Sequence, residues 1–304
     1  MTTPHSLLSA EQIDQYFERI QLPAQYRNNR PALTPQFLFA LQAHHITAIP
    51  YENLSLHYAF DVQVDLNVSC IHTKLVQRRR GGYCMENNIL AYHVLLFLGF
   101  EVYLTGARLF RKMESPLGGW SGWEHSVNLI TLPDQSRYLF DVGYGGNGPR
   151  CPLTLSNGNV TPNLGSQCVR LVRDSLPGSR QQMWMYQFRN ADDQDWISGY
   201  AFSEIEFFLR DFEVMNFFTS RSPGCFLTSK LLVVMFLRDE ERIYGKIVLD
   251  HDQVKRNLGG KSEVIQICYT EDERVEALEK YFGLHILVEE KAAIKGKSSS
   301  LPIE

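Results

Sequence analysis

At 304 residues the chain is longer than one compact core usually needs, so two or three subdomains around a shared core are expected. A hydrophobic share of 44%, a charged share of 21% and a net charge of -4 describe an ordinary globular protein and exclude a basic nucleic-acid binder. No apolar run is long enough to span a bilayer, so no membrane partner is expected.

The first residues, Met1 to Leu8, lack the charged start and apolar stretch of a secretory signal. The six cysteines are scattered, with no CxxC pair, so reduced thiols in the cytoplasm are expected. Ser9, with Gln12 three residues later, fits a capping box that opens a helix through Ile13, Tyr16, Phe17 and Ile20. Thr34-Pro35 fits the N-cap and first position of a second helix carrying Phe37, Leu38 and Leu41. Pro50 is expected to stop regular structure before Tyr51-Glu52-Asn53-Leu54.

Next comes Arg80-Gly81-Gly82-Tyr83-Cys84-Met85-Glu86-Asn87-Asn88. The glycines let the chain turn tightly, and a helix follows through Leu98, with Gly99 placed to close it. Cys84 is thereby put at a helix N-terminus with Arg80 nearby, and both the helix end and the cation favour a thiolate. Apolar side chains on nearly every face of 89–98 predict a buried helix. A free cysteine is also a common small core residue, so the nucleophile reading depends on finding partners.

After Gly99 the texture changes to short strand-like runs over 102–104, 126–130, 138–142, 168–172 and 184–188, separated by glycine-rich loops. They predict an antiparallel sheet or small barrel. The last third mixes strands over 231–237, 243–249 and 264–269 with a helix over 271–282. It ends in a polar tail around Lys295-Gly296-Lys297-Ser298-Ser299-Ser300 that is expected to be mobile. The class that results is α+β.

Two phosphate-site patterns fail on their context. Gly143-Tyr144-Gly145-Gly146-Asn147-Gly148 spells G-x-G-x-x-G after a strand, but Pro149 and Pro152 forbid the helix that a dinucleotide site needs. Gly260-Lys261-Ser262 has Lys255 where a P-loop has its first glycine. His44-His45 and Cys70-Ile71-His72 lack a second ligand pair, so no metal is expected. His125, expected at the start of the 126–130 strand, and Asp141, at the end of the next, fall on one rim of an antiparallel pair. Cys84, His125 and Asp141 then fit a nucleophile, its base and the group that orients the base. On spacing alone, His125 as one of nine histidines and Asp141 as a turn former is an equal reading.

With these residues in view, the chain resembles the arylamine N-acetyltransferase family. Arg80 to Asn88 resembles its cysteine motif, Ile49-Pro50-Tyr51-Glu52-Asn53-Leu54 its upstream segment, and Asp141-Val142-Gly143-Tyr144-Gly145 its D-x-G-[FY]-G motif. A segment from Asn216 to Ser222-Pro223 extends the match into the last third. The resemblance implies a helical bundle over 1–100 carrying the nucleophile, a β-barrel over 101–210 carrying His125 and Asp141, and an α/β domain over 211–304 with a helix and tail. This is a cysteine-protease-like Cys-His-Asp core. It implies ping-pong acyl transfer from acetyl-CoA, the family's majority donor, or from malonyl-CoA, to an arylamine or arylhydrazine, with no tightly bound cofactor. It further implies Tyr51 and Tyr144 in the acceptor pocket and Ser121, Gly122, Glu124 and Gly224 along the CoA cleft, in an enzyme of xenobiotic detoxification. Arg108, Arg111, Lys112, Arg150 and Arg221 are the cations near the relevant loops that could meet the coenzyme's phosphates. A papain-like protease lacks support because Cys-Gly-Ser-Cys-Trp is absent, and a calcium-dependent transglutaminase because no acidic calcium loop is present.

Overall fold

The structure, a computed structural model, describes residues 5–27, 31–111, 119–240 and 242–302. Its N-terminal helices begin where side chains can cap them. Ser9 and Gln12 bond each other's backbone at the start of α1 (Ala10–Arg19), and Thr34 Oγ1 accepts the Phe37 amide at the start of α2 (Pro35–Ala48). Pro50 does not end regular structure. Tyr51–Glu52 forms a two-residue strand, β1, because a strand from the last third lies beside it, and one helical turn, α3 (Leu54–His57), follows. α4 (Val68–His72) continues into a wide turn over Thr73–Gln77, and α5 (Cys84–Phe97) is buried on nearly every face. Gly99 follows α5 at φ +89°, a left-handed conformation that glycine adopts without steric cost.

The middle of the chain is antiparallel. β2 (Glu101–Phe110), β3 (Trp120–Thr131), β4 (Arg137–Phe140) and β5 (Leu153–Thr154) are followed by β6 (Val160–Pro162), β7 (Cys168–Ser175), β8 (Gln182–Arg189) and β9 (Ile197–Phe202). Among the described residues these form one eight-stranded sheet in the order β5-β4-β3-β2-β9-β8-β7-β6, curled into a nearly closed barrel. A bridge between Asn157 and Leu171 draws its two ends together. Val127, Leu129, Leu139, Leu171, Tyr186, Tyr200 and Phe202 pack in its core.

The last third begins with α6 (Leu209–Arg221), which sequence reasoning missed: no Ser or Thr caps it, and instead Asp211 accepts the Phe208 amide at 2.8 Å. β10 (Leu232–Asp239), β11 (Arg242–Asp250), β12 (Gln253–Asn257) and β13 (Glu263–Ile267) then form a second sheet, in the order β1-β10-β11-β12-β13. β1 is thus an edge strand of a sheet otherwise made late in the chain, with Tyr51 opposite Val234. α7 (Glu271–Phe282), capped by Thr270 and closed by Gly283 at φ +63°, shares an apolar core with this sheet, and α8 (Val288–Ala293) follows. The arrangement is α+β.

The polar tail is docked, not loose. Arg274 is fully buried and bonds Glu271 Oε2 at 2.6 Å, and its remaining donors need acceptors away from water. The Ser299 carbonyl supplies one at 2.9 Å, while Ser299 Oγ meets His57 Nδ1 at 2.7 Å. Lys297 donates to the Leu56 carbonyl at 3.1 Å. Replacing Arg274 by Ala strands the Glu271 carboxylate and frees the tail. The expected cost is about 3–5 kcal/mol, read as a lowered midpoint in urea; an unchanged midpoint would mean the pair holds nothing together.

Candidate active site

The glycines of the Arg80-Gly81-Gly82 turn are needed for close approach, not for an unusual φ. The left-handed residue here is Arg79, at φ 54°. The Glu52 amide donates to the Gly82 carbonyl at 2.9 Å, and a Cβ on Gly81 would run into the Pro50 carbonyl oxygen. A Cβ on Gly82 would meet the Glu86 Cβ at 2.8 Å. The Pro50-Tyr51-Glu52 and Gly81-Gly82-Tyr83 segments are therefore zipped together, which aims the first turn of α5. Arg80 does not face Cys84. Its Nε lies 3.5 Å from Glu52 Oε1 and its Nη1 3.1 Å from Glu290 Oε1, because a largely buried guanidinium takes the nearest carboxylates.

Cys84 is the first residue of α5 and is buried. Burial pushes its thiol up and the Asp141 charge adds to this, while the Met85 and Ser126 amides favour the thiolate. The helix start and Arg80 therefore do not make Cys84 a thiolate by themselves. Its Sγ is 3.5 Å from the Glu124 carbonyl oxygen, one residue before His125. His125 lies within β3, not at its start: the strand continues back through Trp123 and Trp120, opposite Arg108 and Phe110, by means of bulges.

His125 Nε2 donates to Asp141 Oδ2 at 2.9 Å, and both side chains are buried. Asp141 Oδ1 accepts from Asn88 Nδ2 at 3.0 Å and from the Gly143 amide at 2.8 Å. Burial acts to raise the Asp141 carboxyl, but His125, Asn88 and the Gly143 amide outweigh it and hold it below its ordinary value. Asn88 also donates to the Ser126 carbonyl at 2.7 Å and accepts the Val142 amide at 3.1 Å. The residue four positions after Cys84 thus ties α5, β3 and the loop after β4 together. Its neighbour Asn87 donates to the Gly82 carbonyl at 2.6 Å and accepts from His45, which bonds Tyr16. Neither asparagine had a role assigned from sequence, although the pair stands within the cysteine motif.

Cys84 and His125 open on one cavity of about 550 Å³, which Tyr51, Tyr144, Leu109, Phe226, Val234 and Val248 also line. The Tyr144 and Tyr200 rings pack against the His125 imidazole, with centroids at 5.6 Å and 4.9 Å. Of the four residues expected along a coenzyme cleft, Glu124 lines the cavity and pairs with Arg111, which also lines it. Ser121, Gly122 and Gly224 lie outside the lining; Gly122 and Gly224 are exposed, and a side chain at Gly122 would meet nothing within 4 Å. Among the other expected cations, Arg108 lies over the Trp123 ring, Arg150 donates to the Ile243 carbonyl and Arg221 packs over Phe217. Lys112 falls outside the described residues. Lys246 and Lys255 line the cavity and were not anticipated, since alternation along a strand does not say which face meets a cavity.

A family model described as N-acetyltransferase matches residues 36–291. An N-malonyltransferase of Fusarium pseudograminearum is 33% identical over 93% of this chain and 91% of its own length. The arylamine N-acetyltransferase 1 of Bos taurus is 32% identical over 72% of this chain and 75% of its own. Among solved structures, the Mycobacterium marinum arylamine N-acetyltransferase in complex with CoA superposes with a TM-score of 0.79 at 28% identity, covering 93% and 98% of the two chains.

Gly143 packs onto Cys84, and a Cβ there would lie 2.7 Å from Cys84 Cα and 2.6 Å from Asn88 Nδ2. Gly143→Ala is expected to lower stability by about 1–3 kcal/mol in urea. It should also slow alkylation of Cys84 by iodoacetamide. If neither changes, the loop is not packed against Cys84.

Proposed function

Because the chain belongs to the arylamine N-acetyltransferase family, we propose that it moves an acyl group from acyl-CoA to the nitrogen of an arylamine or arylhydrazine, by way of a thioester on Cys84. The observation that carries this reading is the pair His125–Asp141, bonded at 2.9 Å behind a cavity that Cys84 shares. His125 Nε2 is committed to Asp141, which leaves Nδ1 to take the Cys84 proton. The thiolate attacks the donor's thioester carbonyl, the bond to the CoA sulfur breaks, and the departing thiolate is protonated from the imidazolium. The amine then attacks the Cys84 thioester. Its nitrogen loses a proton to His125 as the C–N bond forms, and that proton returns to the Cys84 sulfur as it leaves. Arylamines are weakly basic and arrive uncharged near neutral pH, so the acceptor needs no prior deprotonation.

In this reading Tyr51 and Tyr144 hold the flat acceptor within the cavity, Glu124 forms part of its wall, and half-buried Ser121 with exposed Gly122 and Gly224 offers room for the coenzyme. Acetyl-CoA is the donor expected from the family's majority. Malonyl-CoA is the second reading, supported by the breadth of the match to an N-malonyltransferase and by the cations Arg111, Lys246 and Lys255 along the cavity.

The protein incubated with each donor and no amine, then weighed intact, should gain one acyl group that disappears on adding aniline. Cys84→Ser should gain none. No adduct from either donor would overturn the reading. Asp141→Asn keeps a hydrogen-bonding group but cannot stabilise an imidazolium, and stopped assays should find turnover lower by about 10⁴, as in serine triads; near-normal turnover would leave Asp141 a turn residue. Tyr144→Ala should reorder the preferred acceptors while acylation of Cys84 persists, and an unchanged ranking would place the acceptor pocket elsewhere.

A further inference from the structure

We propose that Lys246 is the receptor for a substrate carboxylate in the Cys84 cavity, an assignment that rests on the acyl-transfer reading above. Lys246 lies in the middle of β11, opposite Phe236 on one side and Asn257 on the other, and shares its cavity face with Val248 two residues on. The residue is only 9% exposed. Its Nζ donates to the Gly146 carbonyl and lies 3.3 Å from Asn147 Oδ1, both uncharged acceptors.

Besides His125, three basic side chains line this cavity among the described residues, and two already have a carboxylate. Arg111 pairs with Glu124, and Lys255 with Asp250 at 2.9 Å. Lys246 has no carboxylate partner among the described residues, so its ammonium is desolvated without being neutralised. Burial pushes it down to about 8, which leaves it largely charged near neutral pH. A buried cation without a counterion is costly, and an anion brought by a ligand would relieve that cost.

The surroundings suit an anion too. A polar chamber of about 280 Å³ adjoins the cavity and shares Lys246, Asn147 and Ser262 with it. The rest of its lining includes the amides of Gln167 and Asn190 and no carboxylate among the described residues. A carboxylate reaching this junction would find one ammonium and several neutral hydrogen-bond donors. It can arrive on the acyl group, as in a malonyl donor, or on the acceptor, as in an aminobenzoate.

The test compares wild type with Lys246→Met in two arms. One measures acylation of Cys84 by malonyl-CoA against acetyl-CoA without amine. The other measures transfer to para-aminobenzoate against aniline. Loss of a charge-assisted bond should slow the charged member of one pair by about tenfold to a hundredfold and leave the neutral member within about threefold. A selective loss in the first arm places the carboxylate on the acyl group, and one in the second places it on the amine. Equal effects on charged and neutral members in both arms, including no effect, overturn the proposal. Lys246→Gln keeps a donor for the Gly146 carbonyl and lacks the charge, so it should show the same selective loss. If it behaves as wild type, Lys246 merely ties down the loop and the proposal falls. Should wild type accept no acyl group, the acyl-transfer reading fails by itself. Calorimetry with malonate then decides for Lys246, since equal binding by wild type and Lys246→Met overturns the assignment.

Discussion

A carboxylate with almost no access to water, Asp141, sets the terms for the centre of this molecule. A charge so placed survives only if every lone pair is met, and three segments are drawn in to meet them. β3 supplies His125, α5 supplies Asn88, and the loop after β4 supplies its own Gly143 amide. The same contacts that solvate the charge therefore fix the imidazole relative to the start of α5. One carboxylate thus both orients the His125 imidazole and knots the helices to the barrel.

A second constraint works from the other side of Cys84. The strand Tyr51–Glu52 is held between the Gly82 turn and β10, so the late sheet and the early helices grip the same short segment. That places Tyr51 in the wall of the cavity that Cys84, Tyr144, Val234, Val248 and Lys246 also line. Burial, with the Asp141 charge adding to it, raises the Cys84 thiol. Such surroundings favour the neutral thiol, and in the proposed reaction the neighbouring imidazole is the base that would charge it at the moment of attack.

The features legible in the sequence are those whose causes are local. Ser9 with Gln12, and Thr34 with Pro35, announce two helices because capping acts across three or four residues. Gly99 closes α5 for the same reason. Cys84, His125 and Asp141 stood out because their motifs are contiguous, and the structure brings His125 and Asp141 into contact. What escaped notice depends on distant partners. Arg80 seemed to belong to Cys84 by adjacency, yet it takes Glu290 from the far end of the chain. The tail from Lys295 looked mobile by composition, yet it is held by the buried guanidinium of Arg274, and its composition carries no trace of that donor. α6 lacks a capping hydroxyl, and the glycines before His125 hide a bulged continuation of β3.

The central claim is that acyl transfer occurs in two separable steps through Cys84. It is tested most directly by acylating the protein, removing all coenzyme and unreacted donor by gel filtration, and then adding aniline alone. The account predicts one equivalent of anilide per acylated chain, formed at least as fast as steady-state turnover, with Cys84 returned to a free thiol. Anilide that appears only when acyl-CoA is present again would mean direct transfer within a ternary complex, and would contradict it.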